Sequence, residues 1–225
     1  LGKETKNIKK GDKVCALVSG GGYSEYCLAP YTQCLPIPKN LSFEEASAIP
    51  ETFFTIWFNL FIRSKIKKNQ KILIHGGSSG IGTTAIQFAK NFGLKVFTTT
   101  RTDKKMENCK KIGADYAINS KKINFEEFIK KKTNNQGVDF ILDIVGGNYV
   151  QKNINILKRN GTLINIGWLT GSIVNVNLLM IMLKRLTITG STLRIGSLEE
   201  KEKIANNLKE KIWPLIIKKK IKPIL

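Results

Sequence analysis

One histidine, His75, and four cysteines, Cys15, Cys27, Cys34 and Cys109, are all the soft metal ligands in these 225 residues. No two cysteines form a C-x-x-C pair, so neither a Cys₄ zinc knuckle nor a His/Cys catalytic zinc centre is expected. Scattered cysteines in a chain of this length point to reduced thiols and a cytoplasmic location. No apolar run approaches the ~18 residues of a membrane span, and no charged-then-apolar leader opens the sequence. The chain does not begin with Met and enters mid-pattern, which reads as a fragment.

Acidic residues are also scarce. Seventeen Asp and Glu face 37 Lys and Arg, for a formal charge of +20. That balance admits a basic surface for nucleic acid or anionic lipid. The lysines are spread over 65–71, 104–111, 121–132 and 201–222, with no aromatics interleaved as stacking platforms. Lys, Ile and Asn are in excess together, and all three have A/T-rich codons. Compositional drift is therefore the favoured reading, with non-specific nucleic-acid contact as the alternative.

What the chain does contain is a core, since 42% of its residues are hydrophobic, and a glycine-rich turn in a telling place. Lys71-Ile-Leu-Ile-His-Gly-Gly-Ser-Ser-Gly-Ile-Gly82 reads as a short buried strand, a turn and the start of a helix. Ile81, Ala85, Phe88, Ala89 and Phe92 then fall on one face of a 3.6-residue period. Such a strand–turn–helix cradles a dinucleotide pyrophosphate. Glycine admits the backbone to the phosphates, and the helix N-terminus offers N–H groups and positive dipole. The spacing is G-x-x-G-x-G over 77, 80 and 82, a variant of the commonest fingerprint, and a tight connection without a ligand would use the same glycines.

Strands are expected at 11–18 and 22–30, the second entered through three glycines. Ser42-Phe-Glu-Glu45 matches a capping box, and an apolar helix follows Pro50. From Lys71 onward strands (72–75, 95–100, 115–118, 138–145, 162–166, 186–189) alternate with helices (80–92, 103–112, 123–132, 149–157, 177–184). A last helix, capped by Ser197-Leu-Glu-Glu200, is ended or bent by Pro214. Six strands in βαβ succession predict an α/β fold, a doubly wound parallel sheet with helices on both faces.

The end of the second sheet strand decides the coenzyme. A free ribose 2′-hydroxyl calls for an acid there, and Phe97-Thr-Thr-Thr-Arg-Thr102 has none before Asp103. Thr99, Thr100 and Arg101, with Lys104 or Lys105 in reach, suit a 2′-phosphate, so NADP(H) is expected; on the other reading these are ordinary surface residues and Asp103 caps a helix. Val145 and Gly146 end one strand, and Gly167 and Trp168 another, at the edge where a nicotinamide nucleotide lies. His75, alone at a strand end, reads as a packed, hydrogen-bonded core group.

The chain resembles the zinc-free quinone oxidoreductases of the medium-chain dehydrogenase/reductase superfamily, of the tumour-suppressor-inducible type, with zeta-crystallin more distant. The resemblance rests on Gly22-Tyr-Ser-Glu-Tyr26, Leu35-Pro-Ile-Pro38, Pro50-Glu-Thr-Phe-Phe-Thr-Ile-Trp-Phe-Asn-Leu60, the glycine loop through Gln87, Gly113-Ala-Asp115, Gly137-Val-Asp139, Leu142-Asp-Ile-Val-Gly-Gly147 and Thr187-Ile-Thr-Gly-Ser-Thr-Leu-Arg194. It implies that residues 1–50 end a GroES-like catalytic domain and that 51–225 form the NADP(H)-binding Rossmann domain, without the C-terminal return to the catalytic domain. In zinc-dependent cousins a cysteine ligand precedes a nicotinamide-side threonine by four residues; here these positions hold Glu51 and Thr55, in keeping with a metal-free site.

Carried over, Gly77, Ser78, Ser79, Gly80, Ile81 and Gly82 form the pyrophosphate loop, Thr99, Thr100, Arg101 and Lys105 the 2′-phosphate pocket, and Val145, Gly167, Trp168, Thr192, Leu193 and Arg194 the nicotinamide contacts. Ser120 departs from the tyrosine common at that position. The implied reaction is hydride transfer from NADPH to a quinone or enone, with Glu51 and Thr55 as polar candidates near the acceptor. For Glu51, an N-terminal helix charge is the equal alternative. An enoyl (thioester) reductase is the rival within the fold, and a homodimer is expected through the edge strand near 186–191.

Overall fold

A computed structural model describes residues 1–225. The chain divides into two compact units. The first comprises residues 1–58 and 192–225, the second residues 59–191. This differs from a break at residue 50: residues 51–58 and the C-terminal 34 residues group with the N-terminal segment, not with the parallel sheet.

In the first unit, β1 (Val14–Ala16) pairs antiparallel with β2 (Cys34–Pro36). Helix α1 (Phe43–Ser47) begins at the expected capping box, Ser42 accepting from Glu45 N while the Glu45 carboxylate accepts from Ser42 N. Pro50 opens α2 (Pro50–Ile56), which continues as a π-helical stretch, Trp57–Arg63.

The strand expected at 22–30 does not form. Tyr23, Tyr26 and Leu28 stand fully exposed, and the segment turns through Ser24 N to Gly21 O. Its alternation has no strand beside it to use the backbone groups, and an unpaired ribbon has no reason to stay extended. Residues 34–36 take the place beside β1 instead. The C-terminal segment joins this unit through α8 (Leu198–Asn207), a second π-helical stretch and α9 (Trp213–Ile217). Trp213 Nε1 donates to Pro36 O at 2.7 Å, and Asn40 Nδ2 to Ile216 O at 3.2 Å. Pro214 sits in the first turn of α9, where its missing N–H costs nothing, so it begins a helix there rather than ending one.

The second unit is the doubly wound sheet. Six parallel strands lie in the order β5-β4-β3-β6-β7-β8: β3 (Lys71–Ile74), β4 (Lys95–Thr100), β5 (Tyr116–Asn119), β6 (Val138–Asp143), β7 (Leu157–Asn165) and β8 (Thr187–Gly190). Helices α3 (Gly80–Asn91), α4 (Asp103–Lys111), α5 (Phe125–Lys132), α6 (Tyr149–Ile156) and α7 (Leu179–Lys184) connect them. Strand order reverses between β3 and β6, which places the crevice at their C-terminal ends. Ile72 sits between Val96 and Phe140 in register, so β3 is hydrogen-bonded on both sides and buried on both faces, as its unbroken apolar run requires.

Beneath the sheet Leu73, Phe97, Ile118, Phe125, Ile129, Ile141, Ile154 and Leu163 form one core cluster. Strand β7 begins earlier than expected, at Leu157, and its register against β6 shifts between Val138 and Phe140. Asn160 adopts φ 62° in that irregular stretch.

Candidate functional site

In the turn from β3 into α3, Gly76, Gly77 and Gly82 leave no room for a side chain. A Cβ on Gly77 would lie 2.0 Å from Thr98 Oγ1 and 3.1 Å from Cys109 Sγ, and one on Gly82 would lie 2.3 Å from Gly76 O. Gly76 takes φ 69°. Ser79 caps α3: its hydroxyl accepts from Gly82 N at 3.0 Å and donates to Gly76 O at 2.8 Å. Gly77 N donates across to Thr99 O at 2.9 Å and Ser79 N to Gly76 O. The N–H groups of Ser78, Gly80 and Ile81 are left over at the mouth of the helix, where the dipole is positive. Ser78 and Gly80 are exposed and Ile81 is half-buried. An anion can therefore meet this backbone directly.

At the end of β4 alternation separates the three threonines and Arg101. Thr98 faces the glycine turn and donates to Ile74 O at 2.7 Å. Thr99 points to the opposite, inner face, 2.9 Å from His75 Nδ1. Thr100 is buried and donates to Thr102 O, while Arg101 and Lys105 are exposed. Thr102, not Asp103, caps α4. Asp103 is instead engaged by Asn119 Nδ2 at 2.7 Å and Lys122 Nζ at 2.5 Å, and these two hold its carboxyl below the usual carboxylate range.

Past β6 and β7 two turns are locked together. Thr170 N and its hydroxyl both donate to Val145 O, Leu169 N donates to Ile144 O, and Gly147 N to Gly171 O. Trp168 lies on Gly146: a Cβ there would come within 2.5 Å of Trp168 Cε3. Trp168 is 45% exposed, at the C-terminal edge of the sheet, with Val145 and Gly167 half-buried.

A profile of the zinc-binding dehydrogenases matches residues 80–210, more than half of the chain. The chain belongs to the zinc-binding dehydrogenase family. Among its relatives, human quinone oxidoreductase is 30% identical over 206 residues, 91% of this chain and 62% of that protein. A highly reducing polyketide synthase of Emericella nidulans is 36% identical over 160 residues, 70% of this chain and 6% of that protein. Of solved structures, Escherichia coli quinone oxidoreductase complexed with NADPH superimposes with TM-score 0.85 at 29% identity, over 98% of this chain and 67% of that one. JamJ enoyl reductase in its apo form gives TM-score 0.85 at 26% identity, over 100% and 67%. The chain thus spans about three fifths of the quinone oxidoreductases it matches.

The family's name implies zinc, but no three His, Cys, Asp or Glu side chains gather in this chain. Burial pushes the Cys15 thiol up to about 12 and Cys109 to about 11, so both are neutral packing groups. Of the donors, His75 is committed to Thr99 and, through Nε2 at 2.8 Å, to Asn153. These residues do not fit a metal.

They do fit a dinucleotide, by the close-packed glycine cradle and its free N–H groups. The remaining sequence-predicted residues lie in the first unit. Glu51 is exposed in the first turn of α2 and Thr55 is buried one turn further on. Thr192 is exposed, Leu193 is buried, and Arg194 Nη2 donates to Ser19 O at 3.2 Å.

Sequence reading missed the polar chain behind the cradle. Thr99, His75, Asn153, Asp143 and Asn165 are fully or almost fully buried and hydrogen-bonded in series. The only trace in the sequence is a polar residue at the inward-facing end of four successive sheet strands.

Proposed function

We propose that this dehydrogenase chain is the coenzyme-binding part of a zinc-free, NADPH-dependent oxidoreductase that passes hydride to a quinone or a related electron-poor acceptor. The observation that carries this reading is the cradle at Gly77–Gly82, where free backbone N–H groups meet a helix N-terminus. Those N–H groups hold the pyrophosphate, and Ser79 fixes the turn that presents them. NADP(H) is preferred to NAD(H) because Arg101 and Lys105 are exposed beside β4, while Asp103, the first acid available, is already taken by Asn119 and Lys122.

When bound, NADPH supplies the hydride; the protein orients it and excludes water. Val145, Gly167 and Trp168 line the nicotinamide side, Thr192, Leu193 and Arg194 are assigned further contacts there, and Glu51 and Thr55 are the polar groups assigned to the acceptor. The solved Escherichia coli relative was complexed with NADPH, which supports the choice of coenzyme.

The polyketide synthase and enoyl reductase relatives support a second reading, an enoyl (thioester) reductase on the same scaffold. Steady-state NADPH oxidation with 1,2-naphthoquinone, run against NADH and against crotonyl-CoA, separates the two. Turnover with the quinone and NADPH supports the first, turnover with crotonyl-CoA alone the second, and oxidation of neither coenzyme with any acceptor overturns both. We also assign a homodimer, formed along β8, the edge strand of the sheet.

A further inference from the structure

Asp143, the last residue of β6, is fully buried and is an acceptor at every contact. Val145 N donates to Oδ1 at 2.7 Å and Gly146 N at 3.2 Å; Asn153 Nδ2 reaches Oδ2 at 3.1 Å and Asn165 Nδ2 at 3.4 Å. Two of these donors, Val145 N and Gly146 N, are backbone N–H groups that can only donate, and they meet the carboxyl at Oδ1. Every contact to its side-chain oxygens comes from an N–H group. No lysine or arginine pairs with it. His75 is neutral, because burial drives its pKa below the ordinary 6.5 against the opposing pull of Asp143 and Asn153. The hydrogen bonds run in one direction, from Thr99 hydroxyl to His75 Nδ1, from His75 Nε2–H to Asn153 Oδ1, and from Asn153 Nδ2 to Asp143. The end that can only accept sets the polarity of the whole chain.

The place of this charge matters. Strands β3, β4 and β5 form the half of a doubly wound sheet that serves the adenosine side, and β6, β7 and β8 the half that serves the nicotinamide. Asp143 ends the first strand of the second half, and the turn it grips, Val145–Gly146, is the one on which Trp168 lies. Hydride loss breaks the C4–H bond of the dihydronicotinamide and sends the hydrogen with both electrons to the quinone or enone. Solvent then protonates that acceptor, and the nicotinamide ring is left one unit more positive. A fixed anion that desolvated protein screens only weakly favours the positive ring.

We propose that Asp143 sets the redox poise of the bound coenzyme, favouring NADP⁺ over NADPH and so making the bound reduced form the stronger hydride donor. The inference rests on the NADPH reading above and adds to it the source of the driving force.

Titration calorimetry of the full chain with NADPH and with NADP⁺ tests it through affinities alone. Asp143→Asn is expected to raise the ratio Kd(NADP⁺)/Kd(NADPH) by about tenfold, which for a two-electron couple is about 30 mV. The substitution keeps the shape; Val145 N and Gly146 N keep their bonds to Oδ1, Gly146 N loses its contact to the second oxygen, and the side-chain series can re-form by reversal. The new amide donates to Asn153, Asn153 donates to His75 Nε2, and His75 Nδ1–H donates to Thr99. Because the chain has a single histidine, that tautomer switch is readable from one pair of ring ¹⁵N signals, Nδ1 and Nε2 exchanging roles. Asn153→Ala breaks the chain but keeps the charge, and is expected to move both affinities in parallel with the ratio unchanged within twofold. Should Asp143→Asn fail to fold, Asp143→Ser also removes the charge while keeping an acceptor for Val145 N, and is expected to shift the ratio likewise. An unmoved ratio in the neutral variants, with both coenzymes still bound, overturns this inference alone. Failure of the wild-type chain to bind either form overturns the coenzyme reading and this inference with it.

Discussion

A Cβ added to Gly82 would sit 2.3 Å from the carbonyl oxygen of Gly76. That oxygen cannot retreat, because it already accepts from Ser79 N and from the Ser79 hydroxyl. Gly82→Ala therefore has to push the turn open, at a cost of about 1–3 kcal/mol of stability. The same movement swings the N–H groups of Gly80 and Ile81 away from a bound phosphate. Urea denaturation and NADPH titration of the variant are expected to show both losses together, with coenzyme affinity down by at least about tenfold. Lost stability with intact affinity would remove the cradle from coenzyme binding.

On the proposed reading, Arg101 carries the preference for the phosphorylated coenzyme. Arg101→Glu replaces a cation with an anion at an exposed position, so little change in stability is expected. The Michaelis constant for NADPH is expected to rise by about tenfold or more, since a charge-assisted contact to phosphate becomes a repulsion, and that for NADH by much less. Equal effects on the two coenzymes would take Arg101 out of the 2′-phosphate role.

His75 predicts a pH dependence of stability with a clear sign. Its pKa in the folded chain lies below the ordinary 6.5, because burial disfavours the imidazolium. Above pH 6.5 neither folded nor unfolded chain binds the proton, and stability is unaffected. As pH falls below 6.5 the unfolded chain takes up a proton that the folded one refuses, so stability drops by up to about 1.4 kcal/mol per pH unit. Asp103 and Asp115 are held below their ordinary 3.8 and act only in a more acidic window. Denaturation midpoints between pH 7.5 and 5.0 should show the decline in the wild-type chain, and it should disappear in His75→Gln.

Local rules carried the sequence reading a long way. Apolar runs bounded by glycine gave the six sheet strands to within a few residues, and the capping boxes at Ser42 and Ser197 both form. What failed needed a partner distant in sequence. Nothing at 22–30 reveals that no strand lies beside it, and nothing near 200 reveals that Trp213 reaches back to Pro36. The polar chain from Thr99 to Asp143 was hidden for the same reason, since His75 meets Asn153 across 78 residues. Alternation did hold the hint: Thr99 is two residues past Phe97, on the core side of β4.

Gly146 is held to glycine twice over, by φ 69° and by the indole of Trp168 lying 2.5 Å from where a Cβ would stand. Gly146→Ala is expected to dislodge the indole, because the other neighbour, Gly171 O at 2.9 Å, is backbone. With Trp168 on the nicotinamide side, as proposed, both Gly146→Ala and Trp168→Ala are expected to raise the Michaelis constant for NADPH several-fold. A constant for NADPH left unchanged, with only that for the acceptor raised, would move the indole from the coenzyme to the acceptor.

Strand β8 leaves one edge of the sheet without a neighbour, and the surface next to it is unusually apolar. Ile188 on the strand and Leu179, Met182 and Leu183 on α7 are all exposed, Met182 by 67%. An open edge with apolar side chains around it is unstable against pairing, and twofold pairing along the edge satisfies its backbone while closing the assembly. A charge on this face must be desolvated when two copies meet, so Ile188→Lys is expected to convert a dimer to a monomer at micromolar concentration. An exposed lysine already suits an edge strand, and the fold should survive. Sedimentation or light scattering of both proteins reads the change in mass. A wild-type chain that is monomeric throughout would overturn the assignment, and a variant that stays dimeric would move the interface elsewhere.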